Sequence, residues 1–400
     1  MTFNWKRNLY ISWLGCFLTG VSFNLVMPFI SLYIVDLGVT DHTALNIWSG
    51  IAISATALTS AIVSPIWGKL ADRKGRRLML LRASIGMTIT MGALGLVQNV
   101  YQLVILRMLN GLLSGYIPNA TALVASQVPR EKSGWALGFL STGTVTGTLI
   151  GPLIGGFLAD VLGYRAVFFI TGIILFLTFL LTLFYIKEDF KPIPREKIQS
   201  TRQIFANLPA KNLILGLFLT TFIIQIANTS ISPILPLYIR DLLGSSNNLS
   251  LISGVITSAS GISALISSPF LGKLGDRIGN EKVLIGGLLA AGIIMVPMAW
   301  VTSPLQLGIL RFLLGFTTGA LMPSINTLIN KNSPRHALSS IYSYNQSSQS
   351  LGNVAGPLVG SSVSAAFGYP YVFYMTGAFL LINLLFTRFV FSHDKKNIQE

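Results

Sequence analysis

Two arginines stand inside long apolar stretches, where a fixed positive charge must find a partner. Arg107 lies about six residues, or roughly 9 Å at the helical rise, inside the apolar stretch at 101–125. Arg311 occupies a similar place in a later stretch. Burying such a cation costs on the order of 3 kcal/mol. Asp36 and Asp160 are the candidate acceptors for Arg107, and backbone carbonyls or nearby amides are the alternative.

The other polar side chains of the apolar stretches are mostly uncharged amides, accompanied by aromatic rings. This combination offers hydrogen bonds and apolar surface without a counter-charge, which suits amphipathic compounds better than a sugar or an ion. The alternative is that the amides only join neighbouring helices, at about 0.6 kcal/mol per bond. The candidate substrate-cavity residues are Phe23, Asn24, Asn110, Tyr116, Asn119, Gln225, Asn228, Asn326, Tyr344, Asn345 and Gln349.

Catalytic, metal-binding and cofactor-binding patterns are absent from the sequence. Cys16 is the single cysteine, the three histidines fall in predicted loops or the tail, and no phosphate-binding Gly-x4-Gly-Lys-Ser/Thr spacing occurs. We therefore expect no cofactor, no metal and no enzymatic activity. If the protein performs active transport, we expect an ion gradient rather than ATP to supply the energy. A membrane enzyme would need a convergent reactive set within the spans, and a receptor would more naturally carry a large extramembrane domain.

Composition places these residues in membrane-spanning helices. Hydrophobic residues make up 52% of the 400 residues and charged residues only 10%, against roughly a quarter charged in soluble domains. Unbroken apolar runs of about 20 residues predict transmembrane helices, so the fold class is an all-α integral membrane protein with twelve spans. The predicted spans are 9–35, 46–69, 78–98, 101–125, 134–158, 165–187, 212–238, 248–271, 283–302, 305–329, 338–362 and 369–391.

The basic residues that give the net charge of +15 lie mostly in segments on one predicted side of the membrane. All but four of the 28 basic residues fall in segments that lie on one face if the spans alternate, including the loop at 69–82 and the polar stretch at 188–211. By the positive-inside rule this face is cytoplasmic and holds both termini. The basic excess therefore reflects topology, and we expect no nucleic-acid partner.

The chain contains an internal repeat. Ser64–Arg73 recurs as Ser268–Arg277, and Gln102–Arg107 recurs as Gln306–Arg311, each at an offset of 204 residues. Because an even number of spans separates the copies, both have the same orientation, as in transporters whose substrate site lies between parallel halves near the membrane midplane. The predicted domains are an N-terminal half at 1–187, a cytoplasmic linker at 188–211 and a C-terminal half with a short tail at 212–400.

Three motifs resemble those of a known family. Residues 68–77 read Gly-Lys-Leu-Ala-Asp-Arg-Lys-Gly-Arg-Arg, which resembles the loop 2–3 signature of the major facilitator superfamily. Span 4 resembles the family's proton-transfer motif around Arg107, with Asn110 where Gln is usual, and the glycines of span 5 match the antiporter signature. The chain as a whole is similar to the twelve-span drug:proton antiporters of bacteria.

This resemblance implies secondary active efflux of amphipathic drugs by proton antiport and alternating access, in a bacterial cell membrane. The alternative is an exporter of a single metabolite or lipid. The implied partners are small amphipathic substrates, protons and the lipid bilayer, with the protein a monomer. Arg107 is implied to couple protonation to the conformational cycle, and Asp36 is our candidate for the carboxylate whose proton it competes with.

The resemblance also assigns two sets of residues to conformational change. The alternatives are that the basic loop serves only insertion topology, and that the glycine stripe serves only static packing. The implied conformational lock comprises Gly68, Asp72, Arg73, Gly75, Arg76, Arg77, Asp276 and Arg277. The implied antiporter motif comprises Gly138, Gly147, Gly151, Pro152, Gly155 and Gly156.

Overall fold

The computed structural model describes residues 4–129, 132–188, 211–244, 248–333 and 338–399, and the side chains of 72, 134, 338–340 and 393–399 lie outside that description. Within these ranges the regular elements are helices, joined by short turns. Most of the predicted linker, 189–210, lies outside the described residues.

Sixteen α-helices are described, together with a short 3-10 helix at Met27–Phe29. Some predicted spans are made of two helices in succession, because the chain breaks near Pro28, Gly115, Pro233 and Gly319. The helices are α1 Trp5–Leu25, α2 Ile30–Asp36, α3 His42–Lys74, α4 Arg76–Leu94, α5 Val100–Leu113, α6 Tyr116–Gln127, α7 Ser133–Leu162, α8 Tyr164–Tyr185, α9 Lys211–Ser230, α10 Leu235–Leu243, α11 Leu249–Ile278, α12 Asn280–Met298, α13 Pro304–Thr318, α14 Leu321–Lys331, α15 Leu338–Phe367 and α16 Tyr369–Gln399.

Ten stretches among the described residues are long and apolar enough to cross a membrane. The two remaining predicted spans correspond to α4 and α15, of 19 and 30 residues. Both are long enough to span but more polar, since α4 contains three arginines and α15 is rich in serine, asparagine and glutamine. The prediction of an all-helical, multi-pass membrane protein with twelve helical segments is confirmed.

Glycine makes the tightest turns. A single residue, Gly75, joins α3 to α4 with φ of 93°, and Gly279 joins α11 to α12 with φ of 99°. Glycine adopts this left-handed region without the steric cost that other residues incur. The predicted loop at 69–82 is thus almost entirely helical, and Gly68, a member of the predicted lock, lies inside α3.

The chain groups into two compact units. In the first, α1 packs along α7 and α4 packs along α8; in the second, α9 packs along α15 and α12 along α16. The repeat therefore reproduces the same pairings in both units. Unit 1 comprises Met1–Asp41, Ile51–Pro194 and Gly244–Ser258, and unit 2 comprises His42–Gly50, Arg195–Leu243 and Ala259–Glu400.

Candidate functional site

Arg107 is one of the largest fully buried side chains, with 1% of its surface exposed. It lies in α5, whose first turn is capped by the side chain of Asn99. The guanidinium Nε donates to the carbonyl of Ala52 in α3 at 3.1 Å, while Nη1 is buried without a hydrogen-bond partner. A backbone carbonyl therefore satisfies one donor of this cation and leaves another unmet.

The ion pair between Arg107 and Asp36 that we expected is not formed by these two described residues. Asp36 is the last residue of α2, and the cation whose charge acts on its carboxylate is Arg165. The physical reason is that α3 lies against α5: the Thr56 hydroxyl donates to the Arg107 carbonyl at 2.9 Å. Arg107 therefore faces helix backbone rather than a carboxylate.

The turn at Gly75 is held by a residue that the sequence analysis missed. The carboxylate of Glu188 accepts hydrogen bonds from the backbone N–H groups of Arg76 at 3.1 Å and Arg77 at 2.7 Å. These N–H groups have no partner within the helix because they open α4, and they favour an anion. The only sequence signal was an acid just after span 6, which alone does not identify its partner.

Members of the predicted lock occupy different environments. Arg77 donates from Nη2 to the carbonyl of Leu183 at 2.9 Å. Arg73, Asp276 and Arg277 are exposed. The side chain of Asp72, another member of the predicted lock, lies outside the described residues.

A second missed residue, Arg82, lies in α4. We had counted it with the basic loop at 69–82, which is wrong, because α4 begins at Arg76. Its guanidinium stacks on the ring of Trp67 at 3.7 Å and donates from Nη2 to the carbonyl of Ser114 at 2.9 Å. Trp67 is fixed in turn by a 2.7 Å hydrogen bond from its indole N–H to Leu112.

In unit 2 the predicted amides form hydrogen bonds between helices. Asn345 is 2% exposed; it accepts from the Thr221 hydroxyl at 2.8 Å and donates to Asn326 at 3.4 Å. Gln225 donates to Asn353 at 2.6 Å. These contacts join α9, α14 and α15. Of the remaining predicted residues in this unit, Asn228 is exposed, Tyr344 is half-buried and Gln349 contacts the sulfur of Met322 at 3.8 Å.

In unit 1 two of the predicted amides bind the backbone four residues earlier, and the third joins two helices. Asn24 donates to the carbonyl of Gly20 at 2.9 Å, and Asn119 donates to that of Gly115, just before α6, at 2.7 Å. Asn110 is buried and donates to Thr90 at 2.7 Å, and the buried Tyr116 hydroxyl pairs with Thr182 at 2.9 Å. Phe23 is half-buried.

The glycines of α7 lie mostly along α1. A Cβ on Gly147 or Gly151 would meet the α1 backbone, and one on Gly155 would meet that of Leu25. Gly156 faces the backbone of Ser250 instead, Gly138 faces open space, and the helix continues through Pro152. Near the end of α7, the Asp160 carboxylate accepts the N–H groups of Ser250 and Leu251, which open α11 within the same unit.

Among the described residues, no group of three or more histidine, cysteine or acidic side chains is placed to hold a metal ion. The free Cys16 is buried.

Comparison with known proteins assigns this architecture. The family model described as Major Facilitator Superfamily matches residues 12–216 and again 217–400. Proteins named Multidrug resistance protein MdtG are similar over 96% of the chain: the Klebsiella pneumoniae protein is 56% identical with 93% of its length covered, and that of Escherichia coli strain SMS-3-5 is 56% identical with 94% covered.

Solved structures share the fold at low identity. A bacterial homologue of the human lysosomal transporter Spinster, inward-facing and unoccupied, superposes with a TM-score of 0.80 at 17% identity over 98% of both chains. The human organic anion transporter MFSD10 superposes with a TM-score of 0.66 at 16% identity, over 96% of this chain and 100% of its own. The family model and the similar relatives confirm the resemblance of the chain as a whole, and the chain belongs to the major facilitator superfamily of membrane transporters.

Proposed function

We propose that this protein is a secondary active multidrug exporter, which moves amphipathic compounds by proton antiport through alternating access. The observation that carries the proposal is the 54–56% identity, over 96% of the chain, to relatives named Multidrug resistance protein MdtG. Identity at this level over nearly the whole chain supports a shared activity as well as a shared fold.

The substrate site we propose is the set of amides and aromatic rings predicted from the sequence. Its supporting feature is chemical: asparagine, glutamine and tyrosine supply hydrogen bonds in an apolar setting, and no acid is among them. Such a site orients a ligand without a fixed counter-charge. Lipophilic cations should therefore hold no strong advantage over neutral or zwitterionic compounds.

For energy coupling we propose that Arg107 links protonation to the conformational cycle, with Asp36 as the titrating carboxylate that pairs with it in a conformation other than the one described. Arginine keeps its proton at any working pH, so it acts by competing for a carboxylate. Its buried Nη1 without a partner supports this role, because leaving such a donor unmet costs about 1–3 kcal/mol. A second state in which a deprotonated carboxylate accepts from it is favoured by a similar amount, and protonation removes that preference.

We further propose that the loop around Gly75 is a conformational lock. We also propose that the α1–α7 seam, where Gly147, Gly151 and Gly155 of α7 lie against the backbone of α1, takes part in gating. The protein acts as a monomer in the bacterial inner membrane, with both termini and the linker in the cytoplasm. The distribution of basic residues supports this orientation.

The test is transport in proteoliposomes with an imposed pH gradient, using a cationic, a neutral and a zwitterionic dye of unrelated structure. The unchanged protein should move all three, and a protonophore should stop it. Arg107→Ala should lose gradient-driven transport while still binding dye, and Asp36→Asn should alter its pH dependence. Transport of a single compound class would instead favour a dedicated metabolite or lipid exporter, and gradient-driven transport by Arg107→Ala would refute the coupling role.

A further inference from the structure

The chain just after α8 is held in place by a buried amide near the start of α1. Asn8 is 1% exposed. Its Nδ2 donates to the backbone carbonyl of Lys187 at 2.6 Å and to the side-chain oxygen of Gln127 at 2.8 Å, and its Oδ1 accepts from the backbone N–H of Lys187 at 3.3 Å. The side-chain amide of Gln127 donates to the same carbonyl at 3.3 Å. We name the side chains of Asn8 and Gln127 with the backbone of Lys187 the Asn8 clasp.

The Asn8 clasp lies one residue before Glu188, whose carboxylate caps α4. One side chain binds both backbone polar groups of Lys187, and Ile186 on the other side is fully buried. Glu188 therefore reaches the N–H groups of Arg76 and Arg77 from an anchored backbone. Because ordering a free segment costs conformational entropy, this anchoring strengthens the contact between Glu188 and α4.

Four helix ends meet at the Asn8 clasp. Helices α1 and α4 begin there, while α6 and α8 end there. The chain then passes into the predicted linker at 188–211. The clasp thus connects the start of the linker to α1 and α6 directly and, through Glu188, to the turn at Gly75.

The second copy of the repeat keeps the asparagine without the clasp. At an offset of 204 residues Asn8 corresponds to Asn212, which is exposed in the first turn of α9. At the offset of 205 residues that relates α8 to α16, Lys187 corresponds to Ser392, and α16 continues as a helix through that position. The packing common to both copies therefore does not require the clasp. It occurs where the chain leaves the first half, beside the proposed lock.

We infer that Asn8 is a positioning residue for the conformational lock around Gly75. By holding Lys187 it keeps the Glu188 carboxylate against the first turn of α4. The role in transport rests on the lock proposed above, whereas the positioning of Glu188 does not. Loss of the clasp should free Glu188, loosen the start of α4 and alter the rate of the conformational cycle, while the substrate site stays intact.

The first test follows hydrogen exchange in the purified full-length protein in detergent, in peptides that contain the amides of Arg76 and Arg77. Asn8→Ala should speed exchange there by about fivefold or more, because local opening sets the exchange rate. Asn212→Ala, the matched control, removes the repeat-related asparagine and should change exchange there by less than about twofold. Equal exchange in the two variants would overturn the inference.

Two further variants show whether Asn8 acts through Glu188. In a Glu188→Ala background, Asn8→Ala should change exchange at the start of α4 by less than about twofold, because the carboxylate that it positions is gone. An undiminished effect in that background would overturn the inference. Gln127→Ala removes one amide of the clasp and should give a smaller increase than Asn8→Ala. It decides the matter if Asn8→Ala does not fold, and exchange equal to that of Asn212→Ala would then overturn the inference.

The second test measures dye export in proteoliposomes with an imposed pH gradient. Asn8→Ala should lower the maximal rate by about threefold or more and leave the dye concentration for half-maximal rate within about twofold, because a conformational step is slowed and the substrate site is not. Asn212→Ala should change neither. Faster exchange at α4 with an unchanged maximal rate would overturn the role in transport. If the unchanged protein exports no dye, the proposed function fails, and the exchange measurements still decide whether Asn8 positions Glu188.

Discussion

Replacing Gly147 by alanine tests how closely α1 and α7 depend on each other. The added Cβ would stand 2.5 Å from the carbonyl oxygen of Phe17 and 2.8 Å from the backbone nitrogen of Val21. Ordinary contacts of a Cβ lie at 3.4–4 Å, and the atoms met here belong to helix backbone, which cannot rotate away as a side chain can. The helices must therefore move apart by roughly 1 Å locally.

The expected cost combines two opposing effects. Overpacking in a close-packed interior costs about 1–3 kcal/mol, while replacing glycine by alanine in a helix gains up to about 1 kcal/mol. We therefore expect Gly147→Ala to lose between zero and about 3 kcal/mol of stability. Gly138 provides the matched control in the same helix, because nothing lies within 4 Å of its added Cβ; Gly138→Ala should be neutral or slightly stabilising.

The assay is thermal unfolding of the purified variants in detergent, paired with dye export from cells at matched protein levels. Gly147→Ala should unfold at a lower temperature than Gly138→Ala, and its export should fall further than its abundance. If the two variants unfold at the same temperature, the helices at the seam move apart more easily than the contact distances indicate. If stability falls but export per molecule does not, the seam packs the helices without taking part in gating.

Three further predictions address other contacts. Glu188→Gln should lower stability by about 1 kcal/mol, because an amide accepts from the start of α4 with one oxygen and without charge; unchanged thermal unfolding would contradict this. Asn345→Leu should cost about 1–3 kcal/mol by stranding the Thr221 hydroxyl and should narrow the range of exported dyes; an unaltered range would remove this amide from the site. A cysteine replacing Gln199 should react with an impermeant maleimide only in opened cells, because we place the linker in the cytoplasm. The native Cys16 is buried and should give no background. Labelling in intact cells would contradict the proposed topology.

Much of the fold is readable from the sequence because the membrane leaves the chain few choices. Backbone polar groups in lipid must be satisfied internally, so a long apolar run becomes a helix. Each predicted span ends within eight residues of the end of its helix. The ends of the helices are harder to predict from the sequence. The loop at 69–82 looked long because its charges resemble those of a solvated segment, yet α3 continues to Lys74 and α4 starts at Arg76.

Partners of buried polar groups could not be predicted in the same way. Sequence position suggested Asp36 for Arg107 because both lie toward the same membrane face, but rotation about the helix axis decides which neighbour a side chain meets. That rotation depends on the packing of α3 against α5. The role of Glu188 could not be predicted for a similar reason. Its partners are backbone N–H groups, which every residue except proline has and which leave no pattern in the sequence.

Residues that the two copies of the repeat share can be compared with residues that occur in only one copy. Gly147, Gly151 and Gly155 of α7 correspond to Gly352, Gly356 and Gly360 of α15, and in both units most of these glycines bring two backbones together. The polar groups on the same helix pairs differ. Asn345 stands where an offset of 205 residues gives Leu140, so the amide network of α9, α14 and α15 is built on a seam common to both copies. A feature required only for packing would be expected in both units; the amides of unit 2 and the Arg82–Trp67 pair of unit 1 occur once each, so the packing common to both copies does not require them.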